Sequence, residues 1–173
     1  MAIRLSWAAG VAEPYWTDPA RIASKISPSG DLKGRRGGDW DIARAVPFAQ
    51  TAKYRAMVQR FVDGACWLET DLFRDTYARR MAKEGQIAGV RTLRELAVDY
   101  DKRIGGLYRD MRDNGFRVES ESGKRLSLPV FLVGRTGELF IGNQGNHRLA
   151  IAKILGMERI AGRIACRHES WTQ

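Results

Sequence analysis

Cysteine and histidine are scarce, two of each among 173 residues, and proline occurs only five times. Cys66 and Cys166 lie far apart, form no CxxC pair and have no histidine-rich neighbourhood. That excludes a disulfide framework and a zinc site of ordinary ligand spacing, and both are expected to be buried free thiols of a reducing cytoplasm. No stretch approaches the roughly 18 apolar residues that a membrane-spanning helix needs. The opening MAIRLSWAAGVAEP holds one short apolar patch broken by Gly10, so no membrane association and no cleaved signal peptide are expected, and the expected location is cytoplasmic. There is no internal repeat and no low-complexity segment.

What is present is a chain with 44% apolar residues, enough for one soluble domain with a real core rather than a long disordered chain. The formal net charge of +9 favours anionic partners: nucleotides, nucleic acid or acidic membranes. Charge alone does not choose among them, because the basic residues are spread along the chain and mostly read as solvated helix faces.

Residues 1 to about 35 mix Pro14, Pro19, Pro28, Gly30 and Gly34 with isolated apolar residues, which predicts an irregular arm, 1–50, carrying the Gly-rich loop GRRGGDWD. A helical segment, 51–106, follows. Tyr54, Met57, Val58, Phe61 and Val62 recur at steps of three and four until Asp63-Gly64, and Leu72, Phe73, Tyr77 and Met81 form a second stripe ending near Gly85. Thr92-Leu-Arg-Glu95 is a capping box. Leu93 to Met111 then holds one apolar face that Gly105-Gly106 would bend or split, and Asn114-Gly115 ends it.

Beyond Gly115 the period changes. Leu126 to Val133 and Glu138 to Ile141 read as a hairpin about Gly134–Gly137, followed by a loop, a helix from about His147 to Leu155, and a strand from Ile160 to Cys166. Helices followed by this strand and helix order predict an α+β, or mixed α/β, fold with its core at 107–173.

The segment IGNQGNHRLAIAKILG carries the chemistry. A strand running through a Gly-containing loop into a helix N-terminus aims backbone N–H groups at an anion. Gly145 would let the main chain approach a phosphate, and Asn146 is a natural N-cap. Arg148 can grip two phosphate oxygens, and His147 can donate a hydrogen bond or shuttle a proton. The same residues also read as a plain capped helix with Arg148 in solvent.

Gly145-Asn146-His147-Arg148, then Leu149-Ala150 and Ala152, then Leu155-Gly156, resembles the signature of the ParB/sulfiredoxin superfamily, in which Gly-x-[His/Arg]-Arg opens a helix. The element order from Leu107 to Arg167 matches as well, so the resemblance covers the last third of the chain. It implies a ParB/sulfiredoxin-like domain, here with a helical N-terminal extension, that holds nucleotide phosphates at Gly145, Asn146, His147 and Arg148. Family members use CTP, ATP or ADP, the last for a free-serine kinase. Where ParB proteins have Glu and sulfiredoxins their catalytic Cys, this chain has Asn146, so sulfiredoxin chemistry lacks its nucleophile and a ParB-like metal site lacks a carboxylate. No DNA-reading helix-turn-helix follows, and chromosome partition is not expected.

Phosphoryl transfer or hydrolysis needs a carboxylate to hold Mg²⁺ or activate the attacking group. Asp39 and Asp41 are the candidate metal ligands and, with His147, the candidate catalytic groups. Arg35 and Arg36 could add phosphate contacts. The alternative is a surface turn with Trp40 packed beneath it. Glu138 and His168 read as hairpin-surface and surface or capping residues. The expectation is therefore an enzyme using ATP, ADP or CTP with Mg²⁺ on an unidentified phosphoryl acceptor. The runner-up is a DNA-binding or nuclease-type protein, and the third reading is a nucleotide-gated interaction module. Nucleic-acid binding is expected to be weak in the leading case.

Overall fold

All four residues of Val130-Phe-Leu-Val133 are apolar and all four are buried, the pattern of a strand covered on both faces. The computed structural model, which describes residues 13–119 and 127–171, places this strand (β5, Val130–Val133) at the heart of a mixed sheet. The other strands are β1 (Tyr15–Thr17), β2 (Ser24–Ile26), β3 (Gly34–Arg36), β4 (Ala45–Pro47), β6 (Leu139–Ile141) and β7 (Ile160–His168). Their order is β1-β7-β5-β6-β2-β4, with β3 also pairing β7. β5 is antiparallel to β6 and parallel to β7, while β2 runs parallel to β6. The fold is mixed α/β with several helices.

Alternation along the strands divides the core in two. Phe131, Val133, Leu139 and Ile141 face a layer of helices: α2 (Ala52–Phe61), α4 (Leu93–Tyr100), α5 (Gly106–Asn114) and α6 (Asn146–Ile154). Leu132, Phe140 and Cys166 face the other way, onto Ile26, Leu32 and Trp40. The chain between β2 and β3 therefore crosses this second face from one side of the sheet to the other. Gly162 lets Phe131 lie against β7, since a Cβ there would fall 2.3 Å from its ring.

The helices sit where the periodicity places them. Thr51 caps α2 through Tyr54 N, and the Thr92/Glu95 box is present in both directions. At Gly105-Gly106 the helix neither stops nor splits; a π-helical turn, Asp101–Gly105, absorbs the irregularity between α4 and α5. A second such turn, Leu72–Tyr77, precedes α3 (Ala78–Glu84).

Two expectations need correction. The segment read as an irregular arm supplies β1 to β4, and within GRRGGDWD it forms β3 and leads into a four-residue helix, α1 (Trp40–Ala43). These strands are three residues each, too short to show a period; β1, β2 and β3 pair with β6 or β7 far along the chain, and β4 pairs with β2. Of the thiols, Cys166 is buried as expected, and burial pushes it up to about 11, but Cys66 is exposed. The expected strand start at Leu126 lies outside the described residues. Among those described, no helix is long and apolar enough to cross a membrane.

Candidate functional site

Strand β6 ends at Ile141, and the chain turns through Gly142–Gln144 to Gly145, the N-cap of α6, whose φ is +86°. Asn146 is thus not the cap. Its amide donates backward to the carbonyls of Gly142 at 3.1 Å and Asn143 at 3.0 Å, which closes the loop on itself. Backbone bonds fix the loop to β5, from Val130 N to Gln144 O at 3.2 Å and from Gly142 N to Val130 O at 2.8 Å. Asn143 N donates to Ser29 Oγ at 3.0 Å, tying the loop to the crossing segment. The first-turn N–H groups of α6 have no acceptor within the helix.

A cleft of about 550 Å³ opens beside this loop, on the sheet face opposite the helices. Ser29, Lys33, Val130, Asn143, Gln144 and Arg163 are among its lining residues. The lining includes two cations, a hydroxyl and two side-chain amides, and no carboxylate. Lys33, Gln144 and Arg163 are exposed.

His147 and Arg148 are adjacent in sequence to this loop but do not line the cleft. His147 turns into the helical layer, where its Nε2 lies 2.7 Å from the Tyr100 hydroxyl. Burial, reinforced by Lys53 and Arg103, lowers its pKa to about 4, so the ring is neutral near pH 7. Arg148 lies over the Phe116 ring, its Cζ 5.5 Å from the centroid, and donates to Arg117 O at 3.3 Å. A neutral imidazole and an arginine already bonded to a carbonyl are a different arrangement from the phosphate grip expected of them.

Asp39 and Asp41 stand at the other end of the hairpin. Arg135, in the β5–β6 turn, donates from its guanidinium to Asp41 Oδ1 at 2.7 Å and to Asp39 Oδ1 at 2.8 Å, and from its backbone N to Asp41 Oδ2 at 2.9 Å. The Asp41 side chain is wholly buried. Burial opposes its ionisation, but the Arg135 hydrogen bonds outweigh that and hold the carboxyl below its usual range. His168 is buried too, donating from Nε2 to Gly38 O at 2.8 Å and accepting Ser170 N at Nδ1. A guanidinium occupies the place where a bound cation would have to sit, so this pair acts as a clamp on the loop rather than as an open metal site. The length of the β5–β6 hairpin separates the clamp, at its Arg135 turn, from the Gly142–Gly145 loop, held at Val130. The structure does not bring Asp39 or Asp41 to the helix N-terminus.

Lys33, Arg163 and Ser29 were not singled out from the sequence. Arg163 did carry a signal, as the one charged residue within the otherwise small or apolar run Ile160–Cys166. Lys33 and Ser29 carried none, since only the crossing of the chain over the sheet brings them to the loop. Comparison with protein-family models, curated proteins and solved structures gave no match to this chain.

Proposed function

We propose that the protein binds the phosphates of a nucleotide, ATP, ADP or CTP, in the cleft beside the Asn143–Gly145 loop. The observation that carries this reading is the lining itself, two cations with hydroxyl and amide groups and no acid. Lys33 and Arg163 pair with phosphate oxygens, the Ser29 hydroxyl and the loop contribute hydrogen bonds, and Val130 and Leu32 offer apolar contact to the sugar or base. The resemblance of Gly145–Arg148 to the ParB/sulfiredoxin signature supports the same end of the sheet as the phosphate end, and a ParB/sulfiredoxin-like domain is the finer fold reading proposed here.

The residues do not fit a protein-held Mg²⁺, because the lining has no carboxylate and Asp39 and Asp41 are engaged by Arg135. Phosphoryl transfer also needs a group that activates the attacking oxygen, and the lining has no carboxylate or histidine for that purpose. Binding, rather than turnover onto an acceptor, is the function proposed. Calorimetric titration of ATP, ADP, CTP and GTP, with and without Mg²⁺, tests it. Saturable binding that Lys33→Ala and Arg163→Ala together abolish, and that Asp39→Asn with Asp41→Asn leaves intact, is expected. Affinity unchanged in the Lys33/Arg163 variant overturns the assignment.

A further inference from the structure

Strand β1 is the outer strand beside β7, and its burial pattern alternates, with Trp16 exposed between half-buried Tyr15 and buried Thr17. Trp16 is 41% exposed, although a tryptophan has more to gain from burial than almost any other residue. Its surroundings are cationic and aromatic. The Arg159 guanidinium lies 5.0 Å over the indole centroid, and the Phe116 ring meets the indole edge-on at 6.0 Å. Arg148 covers the Phe116 ring in turn. The result is a row, Arg159–Trp16–Phe116–Arg148, in which two aromatic rings in edge-on contact carry a guanidinium at each end.

The row is continuous with the cleft. Trp16 pairs with Ala161, two residues before Arg163 and on the same face of β7, so Arg163 is its diagonal neighbour at about 7 to 8 Å. Asp110 accepts a hydrogen bond from Arg117 nearby. Arg148, Arg159 and Arg163 have no carboxylate at ion-pair distance among the described residues.

We infer that this edge binds single-stranded nucleic acid, one base stacking on the exposed part of Trp16 while Arg159 and Arg163 neutralise the flanking phosphates. Aromatic faces combined with a cationic track are what an unpaired strand requires, since each base presents a π-face and each linkage a negative charge. A duplex keeps its base faces stacked inside and offers Trp16 nothing to stack on. An acidic peptide would use the arginines but not the indole. DNA and RNA share the relevant chemistry, and the 2′-hydroxyl alone separates them.

Fluorescence anisotropy with short labelled oligothymidine, oligouridine and a duplex of equal length, on the full chain, tests the inference. Both single strands should bind more tightly than the duplex at physiological salt. Trp16→Ala should weaken single-strand binding by about tenfold while Trp16→Phe retains most of it. Arg159→Gln should reduce the log–log salt slope by about 0.7, one phosphate's share for a single strand. Unchanged melting temperatures of these surface variants separate the effect from misfolding. Duplex binding as tight as single-strand binding, or single-strand affinity indifferent to Trp16→Ala, overturns the inference. Mononucleotide binding is read separately: its loss in Lys33→Ala, with Trp16-dependent oligonucleotide binding retained, concerns the cleft alone, and its absence in the parent protein leaves this outcome decisive in its own right.

Discussion

Gly145 stands against Pro129 so closely that a Cβ at position 145 would lie 2.4 Å from the proline Cα. The residue is also left-handed, at φ +86°. Its glycine identity is therefore demanded by the protein's own backbone before any ligand arrives. Gly145→Ala combines a strained φ with a clash against main chain, and it should cost about 2 to 4 kcal/mol in urea unfolding. Stability within a few tenths of the parent would show that the loop can withdraw from Pro129. Because the change disturbs folding, loss of nucleotide binding in it says little about the phosphate site, and Lys33 and Arg163 are the informative positions.

Burial of His147, with Lys53 and Arg103 near it, makes stability pH-dependent. In the fold the imidazole titrates at about 4, against about 6.5 when exposed. The unfolded chain therefore binds the extra proton first as pH falls, and the stability held above pH 6.5 is lost progressively between pH 6.5 and 4. The loss should be about 1 to 3 kcal/mol. His147→Gln, which cannot titrate, should flatten that part of the stability profile. An equally steep profile in the variant would place the titration elsewhere.

The clamp on Arg135 has a different window. The Asp41 carboxyl is held below its ordinary range, so its contribution is full above the unfolded value of about 4 and disappears as pH falls further. Asp41→Asn should lower the melting temperature at pH 7 by about 5 °C or more, and the two proteins should converge at lower pH. Asp39→Asn should do far less, since that carboxylate is 78% exposed. Equal melting temperatures for Asp41→Asn and the parent at pH 7 would remove the clamp from the account of the fold.

Asn146 donates from one amide to two carbonyls, which a carboxylate cannot do. Asn146→Asp should place a buried anion against two carbonyl oxygens and destabilise the protein by about 2 to 3 kcal/mol at pH 7. Acidification should restore part of that, because the protonated acid regains one donor. A variant as stable as the parent at pH 7 would show that the amide contacts are dispensable.

The amino-acid sequence by itself determined the elements that carry their own period or punctuation. The stripes through Tyr54–Phe61 and Leu93–Met111, the Thr92/Glu95 box, the hairpin about Gly134–Gly137 and the helix after Gly145 follow from local spacing, and local spacing survives in the folded chain. The tertiary structure alone decided which groups meet. β1 to β3 are too short to announce themselves and exist through β6 and β7, more than a hundred residues away, and β4 in turn pairs with β2. Asp41 finds Arg135 across 94 positions. One turn of α6 sends His147 toward Tyr100 and Arg148 toward Phe116, while the cleft takes Lys33 and Arg163 from segments that nothing in the sequence links. Periodicity tells which face of an element is apolar, but the neighbour that covers that face is set by chain topology, and side-chain chemistry depends on the neighbour.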